Sequence, residues 1–370
     1  MKSRRRPDSP SRADPEPARS SAPLSPGPRI LTAWGVLAIL LLLLAYSNHF
    51  RNGFHFDDAS VIQNNAFLRS LRNVPLFFRD GSTFSSHPAN ATYRPLTSTS
   101  FAFDYWRGKG LDPVHFHVTQ WVLHIALGIL VFFFLLRVLT LVGTPGYRGL
   151  IALFAAALFC VHRANTETVN FLTLRSEILS TCGVVGSFVA YQYGSLRVRR
   201  SYAWLLPALI GAFAKQTAIV FAPLFALYLL LLPRELPDHA ETPRERRRAA
   251  LTMAFPPFVA AALFYVLQDR LGGAELIYGS TPPRVYLQTQ LFAWLHYVRL
   301  FVLPLGLSAD ADWSPIIHWY DTRVVAGALF AAIALGAAAL YARRRPAGKA
   351  SLYRVSRRPA PRGPGATAMR

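Results

Sequence analysis

Residues 30–46 read Ile-Leu-Thr-Ala-Trp-Gly-Val-Leu-Ala-Ile-Leu-Leu-Leu-Leu-Leu-Ala-Tyr, an apolar run that contains no charged side chain. A run of this kind predicts a helix that spans a membrane. A Pro-, Ser- and Arg-rich tail over residues 1–29, typical of disordered sequence, precedes it. The next residues, Asn48-His49-Phe50-Arg51, lack the small-residue motif of a cleaved signal peptide. We therefore expect a retained first span rather than a signal peptide.

The rest of the chain repeats this pattern. Only 16% of its residues are charged, whereas soluble domains carry about 25%. Further apolar segments lie near residues 114–140, 149–163, 176–193, 202–216, 217–233, 249–267, 285–307 and 323–342. The sequence therefore predicts an all-α, polytopic integral membrane protein with a transmembrane domain over residues 30–342. Several segments are short for a span, which indicates tilted or broken helices.

The net charge of +21 is explained by where the basic residues lie. Most of them fall in the tail 1–29, in the connections 137–148, 194–201 and 234–248, and in the low-complexity tail 343–370. Cytoplasmic loops are enriched in Lys and Arg, so these segments share the cytoplasmic side if the spans alternate. That alternation requires 285–307 to be interfacial or re-entrant. With 285–307 assigned in this way, the alternation gives about eight spans. It also places the large first loop, 48–113, on the outer side, and this loop is long enough to contain short helices.

The basic residues do not indicate a nucleic-acid partner, because no basic and aromatic stretch forms a reader module. The basic tails can instead contact the headgroups of anionic membrane lipids. Cys160 and Cys182 both lie in apolar runs, so no disulfide framework is implied.

Two adjacent carboxylates, Asp57 and Asp58, follow the first span closely. One of them can act as a general base toward a hydroxyl or an amine. The pair can also hold a divalent cation, or the two side chains can simply be solvated charges that cap a helix. For an isolated Asp-Asp pair the last interpretation is the commonest, and the sequence alone leaves all three open.

Other ionisable residues gather beside the apolar runs on the same predicted face. They are Arg94, His162, Glu167, Arg175 and Lys215, followed by Asp310 and Asp312. A lysine inside an apolar stretch costs about 2.5–3.5 kcal/mol on insertion scales unless it pairs or snorkels, and an anionic ligand would explain Lys215. An exposed loop remains the alternative around His162. The set fits chemistry on a membrane-held phosphate donor, with cations for the leaving phosphate and a carboxylate for the acceptor proton.

Several of these stretches together resemble a known family. They are Gly53-Phe54-His55-Phe56-Asp57-Asp58, Tyr93-Arg94-Pro95-Leu96, His115-Phe116-His117, residues 159–167, Arg175-Ser176-Glu177, Ala214-Lys215-Gln216 and residues 286–313. Their order and spacing resemble the GT-C glycosyltransferases. The resemblance is closest to the membrane half of the transmembrane and tetratricopeptide-repeat O-mannosyltransferases and their bacterial relatives.

The resemblance implies transfer of mannose or another hexose from a polyprenyl-phosphate carrier to an acceptor hydroxyl at the outer or lumenal face. The acceptor is usually a protein and otherwise a glycan. It implies that Asp57 is the general base. Asp58 would either support Asp57 or help to hold a metal. The remaining implied site residues are Arg94, Arg175 and Lys215 for phosphate and sugar, and His162 and Glu167 as lining. No cofactor is implied beyond that divalent cation. The implied location is the bacterial cytoplasmic membrane, or the endoplasmic reticulum membrane in a eukaryote.

The chain also departs from the family pattern. His162-Arg163 stands where the family has His-Pro, and Lys215-Gln216 stands where it often has Lys-Glu. Relatives continue with further spans and often with repeats, so we expect that this chain is truncated, or shifted in reading frame, after about Pro346. A transporter or flippase stays open as an alternative, although we find no inverted repeat. A non-catalytic fragment is the third hypothesis.

Overall fold

The computed structural model describes residues 27–144, 146–232, 242–272, 281–308 and 314–344. Within these ranges every regular element is helical, which confirms the predicted all-α class. The α-helices are α1 (Pro28–Ala45), α2 (Val74–Phe77), α3 (Pro95–Arg107), α4 (Pro113–Val142), α5 (Arg148–Val161), α6 (Thr166–Asn170), α7 (Arg175–Tyr193), α8 (Leu196–Arg200), α9 (Leu206–Ala212), α10 (Phe221–Leu231), α11 (Pro243–Leu271), α12 (Pro283–Val302) and α13 (Thr322–Arg344). Asp310, Asp312 and most of both predicted tails lie outside the described residues.

Short helical turns connect these helices. Single 3-10 turns lie at His49–Arg51, Ala66–Arg69, Leu71–Asn73, Gly81–Phe84, Pro88–Asn90, Arg163–Asn165, Leu172–Leu174, Ala203–Leu205 and Gln216–Val220, and a π-helical turn lies at Ala59–Gln63. The first loop, residues 48–113, thus contains short helices, as predicted.

Within the described ranges, three helical stretches are long and apolar enough to cross a membrane: Pro28–Arg51, Pro113–Val142 and Arg244–Leu271. The pair Arg148–Val161 and Arg163–Asn170, bent by 49°, adds a fourth if it forms one broken span. The protein is therefore an integral membrane protein with several apolar helices. The predicted count of about eight spans is not confirmed, because several apolar runs form short or interrupted helices.

One interruption in an apolar segment presents a charged side chain. The apolar runs 202–216 and 217–233 form α9 and α10, and Lys215 between them adopts an extended backbone with φ −157° and ψ 136°. The carbonyl oxygens freed by this break find donors in α3: Leu96 N donates to Phe213 O at 3.1 Å, and Thr97 Oγ1 donates to Ala214 O at 3.1 Å. Irregular backbone is tolerated among membrane helices only where protein satisfies it. The first turn of α3 therefore supports the break that presents Lys215.

Helices α7 and α9 approach each other closely through small residues. A Cβ on Gly183 would lie 2.5 Å from Pro207 O and 2.7 Å from the Cα of Gly211, so only glycine fits there. The N–H of Ala208, in the first turn of α9, has no partner within its own helix and donates to Ser187 Oγ at 2.8 Å. Small residues and an interhelical hydrogen bond are the usual basis of helix association in membranes.

Two apolar clusters hold this part of the chain together. In the first loop, Phe77 and Phe101 are buried with Phe116 of α4 and Leu172. Around α7, α9 and α10, aromatic rings pack on one another, and the centroids of Trp204 and Tyr191 lie 4.4 Å and 4.9 Å from that of Phe225. The first loop is therefore a packed structure with its own core, not a flexible connection.

The chain divides into two compact units, Met1–Ala274 and Glu275–Arg370. In the second unit α12 packs on α13, where a Cβ on Gly327 would lie 2.2 Å from Leu291 O. Thr289 Oγ1 also accepts the N–H of Ile316 at 3.0 Å. Helix α12 is not among the long apolar helices of the described ranges, and its assignment as an interfacial or re-entrant segment stays a prediction.

Two glycines of α7 allow a matched test of this packing. We expect Gly183→Ala to lower the free energy of unfolding by about 1–3 kcal/mol, because overpacking forces α7 and α9 apart. Gly186→Ala is the control, since its Cβ would meet Pro207 Cβ at an ordinary 3.4 Å. The control should be neutral or slightly stabilising, because alanine has the higher helix propensity. Thermal unfolding in detergent measures both variants, and equal loss in the two would contradict the close approach.

Candidate functional site

Adjacent carboxylates lie in opposite environments at the start of the first loop. Asp58 is fully buried, whereas Asp57 is exposed. Phe56, directly before them, has φ 48°, a left-handed conformation that costs a residue with a side chain about 1–2 kcal/mol. After this turn, Asp57 faces the surface and Asp58 faces the protein interior, so the two carboxylates have different surroundings.

Asp58 joins the first loop to the segment that precedes α7. Its Oδ1 accepts hydrogen bonds from Thr173 N at 2.9 Å and Thr173 Oγ1 at 2.7 Å. Its Oδ2 accepts the N–H of His55 at 3.1 Å. Burial raises the pKa of Asp58 above its ordinary value, and the hydrogen bonds from His55 and Thr173 oppose that rise. Both oxygens are thus engaged by protein, and Asp58 fixes the position of its neighbour Asp57.

Beside this link lie four charged residues of alternating sign, each near enough to act electrostatically on its neighbour: Asp57, Arg94, Glu177 and Lys215, which we call the charge row. Lys215 Nζ forms an ion pair with the carboxylate of Glu177. The negative charges of Glu177 and Asp57 both act on the guanidinium of Arg94, opposing the burial that lowers its pKa. Arg94 is further held by Ser176 Oγ, which accepts from Nη1 at 3.3 Å, and by the Phe84 ring, 5.1 Å from the guanidinium carbon.

Three members of the charge row lie at helix starts or at a helix break. Arg94 is the residue before α3, Glu177 lies in the first turn of α7, and Lys215 sits in the break between α9 and α10. At the break, Ser180 Oγ donates to Lys215 O at 3.4 Å. Helix ends and breaks present side chains on backbone that is itself anchored, so the geometry of the row is fixed by the fold. Two of its members, Arg94 and Lys215, are cations, the charge that pairs with phosphate.

Arg175 is placed differently from the other predicted donor ligands. It is 0% exposed, and its guanidinium lies 4.5 Å from the centre of the Phe101 ring. Its donors are distributed over four acceptors: Asp104 Oδ2 at 2.5 Å, Ser100 Oγ at 3.3 Å, Gln120 Oε1 at 3.1 Å and Phe116 O at 2.7 Å. The side chain therefore ties α7 to α3 and α4. Its role as a donor ligand stays a prediction, and its observed contacts are those of a structural residue.

His162 and Glu167 lie on the turn between α5 and α6. His162 follows the last residue of α5, and its Nδ1 accepts the N–H of Ala164 at 3.2 Å. Glu167 is exposed in the first turn of α6 and forms no ion pair among the described residues. Their assignment as lining residues stays a prediction.

Glu177 is a member of the charge row to which the sequence alone assigned no role. Residues two apart on a helix point to nearly opposite sides, since each residue turns the helix by about 100°. Arg175 and Glu177 therefore cannot face the same neighbours, and the burial of one toward α3 and α4 directs the other toward the break at Lys215. In the sequence, the only sign of a role for Glu177 is the Arg-Ser-Glu pattern at the start of an apolar helix.

Within the described ranges, no group of three or more His, Cys, Asp or Glu side chains is arranged to hold a metal ion. Asp58 contributes both carboxylate oxygens to hydrogen bonds with backbone and Thr173. The divalent cation suggested for the Asp57–Asp58 pair therefore gains no support from the geometry of these two side chains.

The chain is similar in sequence to curated proteins named protein O-mannosyl-transferases, which confirms the predicted resemblance. The chain is 34% identical over 169 residues to "Protein O-mannosyl-transferase TMTC4" of Mus musculus, a match that covers 43% of this chain and 23% of the relative. It is 30% identical over 219 residues to the Homo sapiens protein of the same name, covering 54% and 29%. It is 23% identical over 314 residues to "Protein O-mannosyl-transferase F38B6.6" of Caenorhabditis elegans, covering 81% and 42%.

These matches cover only part of each relative, so the chain spans about a quarter of the length of the TMTC4 proteins that it resembles. No family model matches the chain, and no solved structure matches it.

The link between Asp58 and Thr173 can be tested by two substitutions. We expect Thr173→Val to lower the free energy of unfolding by about 1.5–3 kcal/mol at neutral pH, because a buried carboxylate loses a hydroxyl donor. Thr173→Ser keeps the hydroxyl and should change stability much less.

The pH dependence has a defined sign. The folded-state pKa of Asp58 is raised, so ionisation of this group destabilises the folded protein, and stability from this group falls as pH rises through the raised pKa. Loss of the hydroxyl should raise the pKa further, so the deficit of Thr173→Val should be larger at neutral pH than in mild acid. Thermal unfolding at both pH values is the measurement, and a deficit independent of pH would contradict the assignment.

Proposed function

We propose that this protein is a membrane glycosyltransferase that moves mannose or another hexose from a polyprenyl-phosphate-linked donor to a Ser or Thr hydroxyl of an acceptor protein. The observation that carries the proposal is the charge row, held at the first loop of a chain whose curated homologues are named protein O-mannosyl-transferases. The proposed location of the reaction is the outer or lumenal face of the membrane. That membrane is the bacterial cytoplasmic membrane, or the endoplasmic reticulum membrane in a eukaryote.

The two cations of the charge row suit the phosphate of such a donor. When the bond between the sugar C1 and the phosphate oxygen breaks, its electron pair stays on that oxygen and adds negative charge to the leaving polyprenyl phosphate. Arg94 offers a planar fork of donors, and Lys215 offers a compact point charge. Preorganised cations stabilise charge that develops during reaction without having to reorient at that moment. Lys215 is paired with Glu177 in the structure, so donor binding would redistribute its contacts.

Asp57 suits the acceptor side of the reaction. It is exposed, it bears a carboxylate, and its charge acts on Arg94. In the proposed step Asp57 takes the proton from the acceptor hydroxyl as the hydroxyl oxygen forms its bond to the sugar C1. A general base in this position must lie within hydrogen-bond reach of that hydroxyl. The exposure of Asp57 leaves room for a protein segment to approach.

The neighbouring residues then act as supports. Asp58 and Thr173 hold the backbone from which Asp57 projects. Glu177 holds Lys215 in the absence of donor, and Arg175 fixes the start of α7 that carries Glu177. His162 and Glu167, on the turn after α5, are proposed to line the site. The proposal requires no metal, although a divalent cation would be an added aid to a phosphate donor.

Asp57 can be tested by transfer of labelled sugar in membranes supplied with polyprenyl-phosphate mannose and an acceptor peptide. We expect Asp57→Asn to lower the turnover rate by about 10²–10⁴-fold, the usual contribution of a general base, with little change in the KM for the donor. Asp80→Asn is the control, because Asp80 is an exposed loop residue whose Oδ1 only accepts the N–H of Ser82. Equal transfer by Asp57→Asn and the wild type would remove Asp57 as the base.

Lys215 can be tested by binding as well as by turnover. We expect Lys215→Gln to weaken the binding of polyprenyl phosphate by about 10–100-fold, because it removes a charge-assisted hydrogen bond worth about 1.5–3 kcal/mol. Arg79→Gln removes one positive charge from an exposed position of the first loop and should leave binding unchanged. The measurement is a titration of the full chain in detergent with polyprenyl phosphate. Unchanged binding by Lys215→Gln would contradict the donor site whether or not the chain turns over.

A further inference from the structure

A second group of positive charges lies in the first loop, apart from the charge row. Arg69, Arg72 and Lys109 line an open cleft of about 410 Å³ together with Leu71, Tyr105 and Trp106. We call it the basic cleft. The three cations are exposed, and no carboxylate pairs with any of them in the described part of the chain. Like charges gathered without a counter-ion repel one another, so this arrangement favours an anion.

The cleft is built on fixed backbone and not on loosely placed surface side chains. Arg69 donates from Nη2 to Gln63 O, and its guanidinium stacks 5.1 Å from the centre of the Tyr105 ring. Lys109 follows the end of α3 and is held with φ 54°, a conformation uncommon for a residue with a side chain. Arg69 retains further donors, since a guanidinium offers five N–H groups. The cleft therefore presents oriented donors around an open volume.

The basic cleft lies beside the end of a membrane-spanning helix. Arg107, in the last turn of α3, donates from Nη2 to His115 O at 2.7 Å and to Thr119 Oγ1 at 3.2 Å, both in the first two turns of α4. Helix α4 is one of the long apolar helices. The end of α3 is thus tied to the N-terminal end of a helix that is long and apolar enough to cross a membrane.

Exposed aromatic side chains also support the position of the basic cleft near the membrane surface. Trp106 is 60% exposed and Phe103 is 46% exposed, and their rings pack with centroids 5.6 Å apart on α3. Large aromatic residues are enriched where membrane proteins meet the headgroup region. In that position Trp106 would face lipid, and the cations beside it would face the phosphates.

We propose that the basic cleft binds the phosphate-bearing headgroup of an anionic phospholipid from the surrounding leaflet. An acidic peptide offers the same charge, but it does not account for the exposed Trp106–Phe103 pair or for the tie to α4. The cleft is also separate from the charge row. Arg94 precedes α3 and Lys109 follows it, and a helix of 13 residues is about 20 Å long.

The test is native mass spectrometry of the full chain in detergent, titrated with phosphatidylglycerol or with phosphatidylcholine. The cleft variant is Arg69→Gln/Arg72→Gln/Lys109→Gln. Its control is Arg51→Gln/Arg79→Gln/Arg163→Gln, which removes the same charge from exposed positions outside the cleft. Each cation near an anionic lipid surface contributes about 1 kcal/mol, which corresponds to roughly fivefold in affinity. We expect the cleft variant to weaken phosphatidylglycerol binding by about 100-fold and the control to stay within about fivefold.

Two competitors identify the source of the phosphate. Inorganic phosphate and a polyglutamate peptide are each added at the same concentration at which phosphatidylglycerol saturates the protein. The proposal expects neither to displace the lipid. Displacement by inorganic phosphate would indicate a site for phosphate in solution, and displacement by the peptide would indicate a protein partner. Either result would overturn the proposal, as would equal loss of lipid in the cleft variant and its control.

A second measurement covers the event that the triple variant fails to fold. Bromine-labelled phosphatidylglycerol quenches tryptophan fluorescence on contact, and the chain has seven tryptophans. We expect Trp106→Phe to remove part of the quenching, whereas Trp204→Phe, at a site that is 0% exposed, should remove none. Unchanged quenching in Trp106→Phe would show that the cleft does not face lipid.

Discussion

The ion pair between Arg175 and Asp104 is the contact on which the first loop and the start of α7 depend. Both side chains are 0% exposed, so neither charge is hydrated. Removing water from two such charges costs several kcal/mol per ion, and only close geometry with further hydrogen bonds offsets it. Arg175 meets that condition with acceptors from α3 and α4. Loss of either partner would leave a buried charge, which typically costs about 3–5 kcal/mol.

The remaining site geometry depends on this anchor. Asp104 fixes the last turn of α3, and the first turn of the same helix bonds to the carbonyls of Phe213 and Ala214 at the break. Because α7 is fixed at Arg175, Glu177 faces that break and pairs with Lys215. Asp58 then joins the first loop to Thr173. Several buried polar contacts of the described residues therefore lie close together here, and the charge row lies beside them.

The sequence predicted the helical class and the membrane character because long apolar runs leave little alternative in a bilayer. It also singled out Asp57, Arg94 and Lys215, since charges beside apolar runs are costly and therefore informative. The roles of Arg175 and Asp58 could not be predicted, because burial depends on tertiary partners such as Asp104 and Thr173 that lie far away in sequence. The span count was not confirmed for a related reason: hydropathy does not register a break such as the one at Lys215, whose cost is met by a distant helix.

That break also bears on the order in which the protein assembles. The carbonyls of Phe213 and Ala214 are bonded by Leu96 and Thr97, which precede them by more than a hundred residues. During synthesis the first loop therefore emerges well before the segment that needs it. Because the loop folds around its own apolar core, it can already offer its hydrogen-bond donors when α9 and α10 are synthesised. A mutation in the first loop would then act as a biogenesis defect, stalling insertion of helices that it leaves unchanged in sequence.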